Sequence, residues 1–184
     1  AMDGLVSNFA LIMGVFGGTA AAAADAKPVI VAGFAGLAAG AFSMAAGEYT
    51  SVASQAEFVQ AQVNVERREI REHGRIEQAE LAERFQALGI DPGTAARAAA
   101  SIHSDPETAL QVHSLTEFGV RPGNTPSPVV AAVSSFVSFG VGAVIPLLPL
   151  LLGSTGVWPT VVASLAALFG CGAIVTRITS RPWW

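Results

Sequence analysis

The chain has 184 residues, 52% of them hydrophobic and 13% charged, with a formal net charge of −4. Soluble domains are usually about 25% charged, so composition excludes an ordinary soluble fold. The acidic balance excludes a nucleic-acid partner, because no basic stripe exists to neutralise phosphates. The single cysteine, Cys171, lies in an apolar run. It excludes a disulfide framework and a cysteine-based zinc site.

The charge is unevenly spread. Of the charged residues, only Asp3, Asp25, Lys27, Glu48, Arg177 and Arg181 fall outside 51–125, and all three histidines fall inside. This gives three regions: apolar 1–50, polar 51–125 and apolar 126–184. A membrane-crossing helix needs roughly 20 mostly apolar residues, and four stretches qualify: 4–24, 29–46, 129–152 and 157–176. The predicted fold is all-α, a polytopic membrane helix bundle with a helical insert between its second and third spans.

The first span lacks the basic start of a signal peptide, and further apolar segments follow it. A break at Asp25-Ala26-Lys27-Pro28 separates it from the second span. There Gly33, Gly36 and Gly40 place small residues at helical spacing, which lets membrane helices approach closely. The polar insert opens with a proline-free helix over 51–87, with Gly74 as its weak point. Leu88-Gly89-Ile90-Asp91-Pro92 ends that helix. A second helix is expected over 93–103. Ser104-Asp105-Pro106-Glu107 starts a third, which runs to Phe118 and is capped by Gly119. A proline-rich linker, 121–128, leads to the third span. Pro146 and Pro149 should kink or break that span; broken helices line cavities in transporters, and a simple kink is the plainer reading.

Seven of the ten Lys and Arg residues lie in the insert, and Arg177 and Arg181 follow the fourth span. Positive charge accumulates on the cytoplasmic side. The insert and the amino terminus are therefore assigned to the cytoplasm, with only Lys27 opposite. Trp183-Trp184 reads as an interface anchor. The chain looks clipped at both ends, with span one starting almost at residue 1 and a further span expected after residue 184.

The insert's first helix carries an acidic stripe. Glu66 and Glu69 are repeated 11 residues later by Glu77 and Glu80, close to three helical turns, and His73 lies between the pairs. Like charges at this spacing destabilise an isolated helix, and a bound cation would turn repulsion into affinity. Carboxylates with an imidazole suit Fe²⁺, Mn²⁺ and Zn²⁺. The competing reading is a solvated helix, with Arg67, Arg68, Arg71 and Arg84 pairing with these glutamates. In the apolar regions the ionisable candidates are Asp3, before span one, and Glu48, at the end of span two, since charge in a membrane is costly and marks function. Met44 lies one turn before Glu48, and Asn8 and Ser43 can add polar groups.

Asp3-Gly4-Leu5-Val6-Ser7-Asn8-Phe9-Ala10-Leu11, Ser43-Met44-Ala45-Ala46-Gly47-Glu48-Tyr49 and Ser135-Phe136-Val137-Ser138-Phe139 with Pro146 and Pro149 resemble the vacuolar iron transporter family over essentially the whole chain. The resemblance implies a five-span homodimer. It would move Fe²⁺, and often Mn²⁺, out of the cytoplasm in exchange for protons. It also implies a pathway at the dimer interface lined by Asp3 and Met44, with Glu48 a further candidate. The family's metal-binding cytoplasmic domain maps onto Glu66, Glu69, Glu77, Glu80 and Glu117. Where the plant form has two methionines before the last of these, this chain has His113 and Ser114, which puts a nitrogen in place of a sulfur ligand. The plant form's mid-span glutamate is Gly36 here. No organic cofactor is expected. No nucleophile–base set points to an enzyme. The alternative from another class is a membrane-anchored metal sensor or scaffold that binds without transporting.

Overall fold

The structure, a computed structural model, describes residues 1–18, 26–123 and 125–179. Every regular element among them is helical: α1 (Met2–Gly18), α2 (Lys27–Ala87), α3 (Pro92–Ile102), α4 (Pro106–Phe118), α5 (Pro128–Val144), a 3₁₀ turn (Ile145–Leu147), α6 (Leu148–Leu151) and α7 (Val157–Thr179). The chain forms two compact units, residues 1–50 with 128–184, and residues 51–127. The break at Asp25 and the Trp183-Trp184 anchor lie outside the described residues, as does the end of the first expected span.

Among the described residues, Lys27–Ala87, Pro128–Leu151 and Val157–Thr179 contain stretches long and apolar enough to cross a membrane; α1 is apolar but shorter. The close approach expected of the small residues is realised. A Cβ on Gly4 would collide with the Phe139 carbonyl, one on Gly142 with the Ala1 carbonyl, and one on Gly40 with the Phe139 ring. Ile12, Val29, Leu147 and Leu150 form one apolar cluster, and Ala41, Phe139 and Ala143 another. The expected break in the third span falls at Pro146, where α5 gives way to the 3₁₀ turn. Proline has no N–H for the carbonyl four residues back. A neighbouring helix brings a donor to this break: buried Asn8 of α1 donates its Nδ2–H to the Ala143 carbonyl at 2.6 Å.

In the second unit, local capping sets the helix ends. Gly89 adopts φ 95°, and the Ile90 N–H reaches back to the Phe85 carbonyl, closing α2. Asp91 caps α3 through the Thr94 N–H, and Asp105 caps α4 through the Thr108 N–H, each followed by proline at the first helical position. Gly119 ends α4 with φ 67°. The weak point expected at Gly74 lies one residue earlier, at His73, whose φ −127° and ψ 26° interrupt the helical geometry of α2. Val63 and Ile70 of α2 pack on Ala109 and Leu110 of α4, while Leu81 and Ala82 pack on Ala99 of α3.

Candidate metal centre

The apolar seam of α2 runs through Val59, Val63, Ile70 and Leu81, spaced by one, two and three helical turns. Glu66 and Glu77 occupy positions on that seam. The packing that buries the valines and leucine therefore buries these carboxylates too, to 6% and 8% exposure. Facing them from α4 is His113, fully buried, followed one turn later by half-buried Glu117. Glu66, Glu77, His113 and Glu117 can each offer one donor atom, and the four atoms lie within 4.8 Å of one another.

His113 Nδ1 is 2.9 Å from Glu66 Oε1 and 3.6 Å from both Glu77 Oε2 and Glu117 Oε1. Donors about 2.1 Å from a metal ion stand roughly 3.0 Å apart at adjacent octahedral corners and about 3.4 Å apart in a tetrahedron. The three distances from His113 Nδ1 lie near those edges, and the remaining separations within the group are no more than 4.8 Å. Neither His113 Nδ1 nor Glu66 Oε1 has a hydrogen-bond partner among the described residues, despite their closeness. Buried polar atoms without partners are rare and costly, and a cation between these atoms satisfies both.

The electrostatics agree. Burial, and then the neighbouring Glu117 and Glu77 charges, push the Glu66 carboxyl up to about 7. Glu77 is raised as well, first by burial and then by Glu80 and Glu117. Burial pulls His113 down, which favours the neutral imidazole that a metal ligand must be. The solvated-helix reading expected Arg67, Arg68, Arg71 and Arg84 to pair with the stripe glutamates, and no such ion pair is present among the described residues. Arg84 instead meets Glu117 at 2.8 Å and Arg67 meets Glu107 at 3.5 Å, both outside the stripe.

The other members of the stripe stand apart from the buried group. Glu69 is half-buried and contacts the exposed His73, Oε2 to Nδ1, at 2.9 Å. Glu80 is exposed and lines an open depression with Glu83 and Arg84. The sequence reading gave no role to His103, whose Nε2 lies 3.0 Å from His113 Nε2.

The first unit holds a separate cavity of about 330 Å³, lined in part by Asp3, Ser7, Asn8, Ser43, Met44 and Phe139. Asp3 and Met44 are exposed along it, and Ser7 Oγ lies 3.5 Å from Asp3 Oδ1. Asn8 is 2% exposed, and its Oδ1 has no hydrogen-bond partner among the described residues. Glu48 is exposed and does not line this cavity.

A model of the VIT family matches residues 1–184 in full. The chain belongs to the VIT family. It is similar to vacuolar iron transporter 1 of Oryza sativa subsp. japonica, 31% identical over 98% of this chain and 72% of that protein. Vacuolar iron transporter 1 of Arabidopsis thaliana gives the same identity and coverage. The vacuolar iron transporter of Acanthamoeba castellanii is 35% identical over 82% of this chain and 55% of its own length. As a VIT family member, the chain is an integral, multi-pass membrane metal transporter and not an enzyme.

Proposed function

We propose that this VIT protein moves Fe²⁺ out of the cytoplasm in exchange for protons, working as a homodimer, and accepts Mn²⁺ and Zn²⁺ as related cargo. The observation that carries this reading is the buried group Glu66, Glu77, His113 and Glu117, whose donor atoms lie within 4.8 Å of one another. The names of its relatives supply the preference for iron. The insert lies in the cytoplasm, where the positive charge of the chain is concentrated, and captures the ion there. Mixed carboxylate and imidazole donors suit Fe²⁺, Mn²⁺ and Zn²⁺ better than Mg²⁺ or Ca²⁺.

Passage through the bilayer is assigned to the cavity beside Asp3 and Met44. The Asp3 carboxylate binds either a metal ion or a proton, and that competition couples the two fluxes. The Met44 thioether favours a softer ion, and Asn8 Oδ1 offers a neutral oxygen. The exposed Asp3 and Met44 side of the cavity is the side a second copy would close. Glu48, one turn beyond Met44, serves ions entering or leaving.

The test is anaerobic Fe²⁺ uptake into proteoliposomes, with and without a pH gradient. Gradient-driven uptake supports exchange. Metal binding in detergent without any uptake would favour the sensor or scaffold instead.

A further inference from the structure

His113 is buried with its two ring nitrogens facing protein groups of different kinds. Its Nδ1 faces the carboxylates of Glu66, Glu77 and Glu117. Its Nε2 lies 3.0 Å from Nε2 of His103, with the two rings edge to face at 80° and 5.1 Å between centroids. Only one ring nitrogen of a neutral histidine carries a proton. A proton on Nδ1 would be a buried donor with no aligned acceptor, because that atom makes no hydrogen bond among the described residues. A proton on Nε2 points at His103 instead. His103 is well placed to receive it: the residue forms the C-cap of α3, and its backbone N–H is fixed to the Ala99 carbonyl at 2.9 Å.

We propose that His103 is the positioning residue of the metal centre: its Nε2 accepts the Nε2–H of His113 and so holds the His113 Nδ1 lone pair toward the three carboxylates. The proposal rests on the capture reading above and adds to it a residue that touches no metal. Histidine ligands generally donate their second ring N–H to a fixed acceptor, which sets the tautomer and the ring orientation, and loss of that acceptor costs roughly 10–100-fold in metal affinity. Here the acceptor comes from the turn between α3 and α4. The capture site then depends on three helices of the insert rather than on the two that carry its ligands.

The test uses the full chain in detergent. The chain has three histidines, so ¹⁵N-histidine labelling gives a simple spectrum of the metal-free protein. The expected spectrum has His113 as the Nε2–H tautomer. His103→Phe keeps a ring but removes the acceptor; it should mix the tautomers and weaken Co²⁺ binding roughly 10–100-fold at unchanged stoichiometry. His103→Gln returns an acceptor oxygen and should recover most of the affinity. A wild-type His113 protonated at Nδ1 would overturn the proposal, as would His103→Phe protein that binds Co²⁺ as tightly as wild type. Loss of one bound ion per chain in His103→Phe would also overturn it, by making His103 a ligand. If His103→Phe does not fold, the wild-type spectrum and the His103→Gln titration still decide. Wild-type protein that binds no Co²⁺ would sink the capture reading itself, and the metal-free tautomer spectrum keeps that failure distinct.

Discussion

In the first unit Asp3 and Met44 stand exposed beside an open cavity, while in the insert Glu66, Glu77 and His113 are buried against one another. The insert carries the cost of desolvated carboxylates, visible in the raised Glu66 and Glu77, and gains a site organised before any ion arrives. Asp3 lines an open cavity with no other carboxylate beside it among the described residues. Tight capture wants the first arrangement and passage wants the second, because an ion held too firmly along a pathway does not leave.

The sharpest way to break this contrast is at Asp3. Asp3→Asn keeps the shape and removes the charge, and Fe²⁺ flux in proteoliposomes should fall to background. Metal binding at the insert, measured by calorimetry in detergent, should be unchanged, because that site is intact. Normal flux through Asp3→Asn would remove the pathway assignment.

Substitution in the insert should do the reverse. Second-sphere losses alone cost roughly 10–100-fold in metal affinity, so Glu66→Gln or His113→Ala, each removing a donor, should cost at least about 100-fold. The maximal flux at saturating Fe²⁺ should change far less than the concentration that half-saturates it. Glu66→Gln should also stabilise the metal-free fold above pH 7, by on the order of 3 kcal/mol at most, since it deletes a buried charge. A thermal unfolding midpoint in chelator that falls instead of rising would mean that the Glu66 charge is not strained.

The sequence carried much of this, but unevenly. Helix ends in the insert were readable because their causes are local: Asp105 as a cap, Pro106 at the first turn and Gly119 at the end, while Asp91-Pro92, read only as the end of the first helix, also caps and starts α3. The 11-residue repeat placed Glu66 with Glu77 and Glu69 with Glu80, yet could not by itself say which pair turns inward. The apolar seam of Val59, Val63, Ile70 and Leu81 passes through Glu66 and Glu77 and does say so. Reading carboxylates against that seam would have separated the pairs. His103 had no such signal. It meets His113 across the turn between two helices, and no periodicity runs through a turn. The break in α2 was legible at Gly74 but falls on His73, whose side chain reaches back to Glu69.

A change of pH should move the two halves of the comparison differently. Metal must displace the proton that Glu66 holds up to about pH 7, so affinity at the insert should rise with pH and level off above that value. Between pH 6 and pH 7 the affinity should rise roughly fivefold for one displaced proton with a pKa of about 7, read by calorimetry in buffers of different ionisation heat. The sign for the metal-free fold is opposite. A carboxyl whose folded pKa lies above its unfolded value contributes stability that is fully present below about 4.5 and lost as pH rises through about 7. His113, with a lowered pKa, costs stability only as pH falls. Added metal should therefore protect the fold more at pH 8 than at pH 6. Equal protection at both would mean that no proton is exchanged at this site.

The smallest effect is expected at Arg84, and it tests whether the insert site holds a resident cation. Arg84 Nη2 lies 2.8 Å from Glu117 Oε1, the same oxygen that faces His113 Nδ1. An incoming ion must share or take that oxygen. The Arg84 side chain is 42% exposed, and pairs of this kind contribute about 0.2–1 kcal/mol. Arg84→Ala should therefore tighten metal binding only about 1.5- to 5-fold. Raised salt should weaken the Arg84–Glu117 pair in wild type and narrow the difference between the two proteins. Weaker binding in Arg84→Ala would give Arg84 the opposite part, as the group that holds Glu117 in place for the metal.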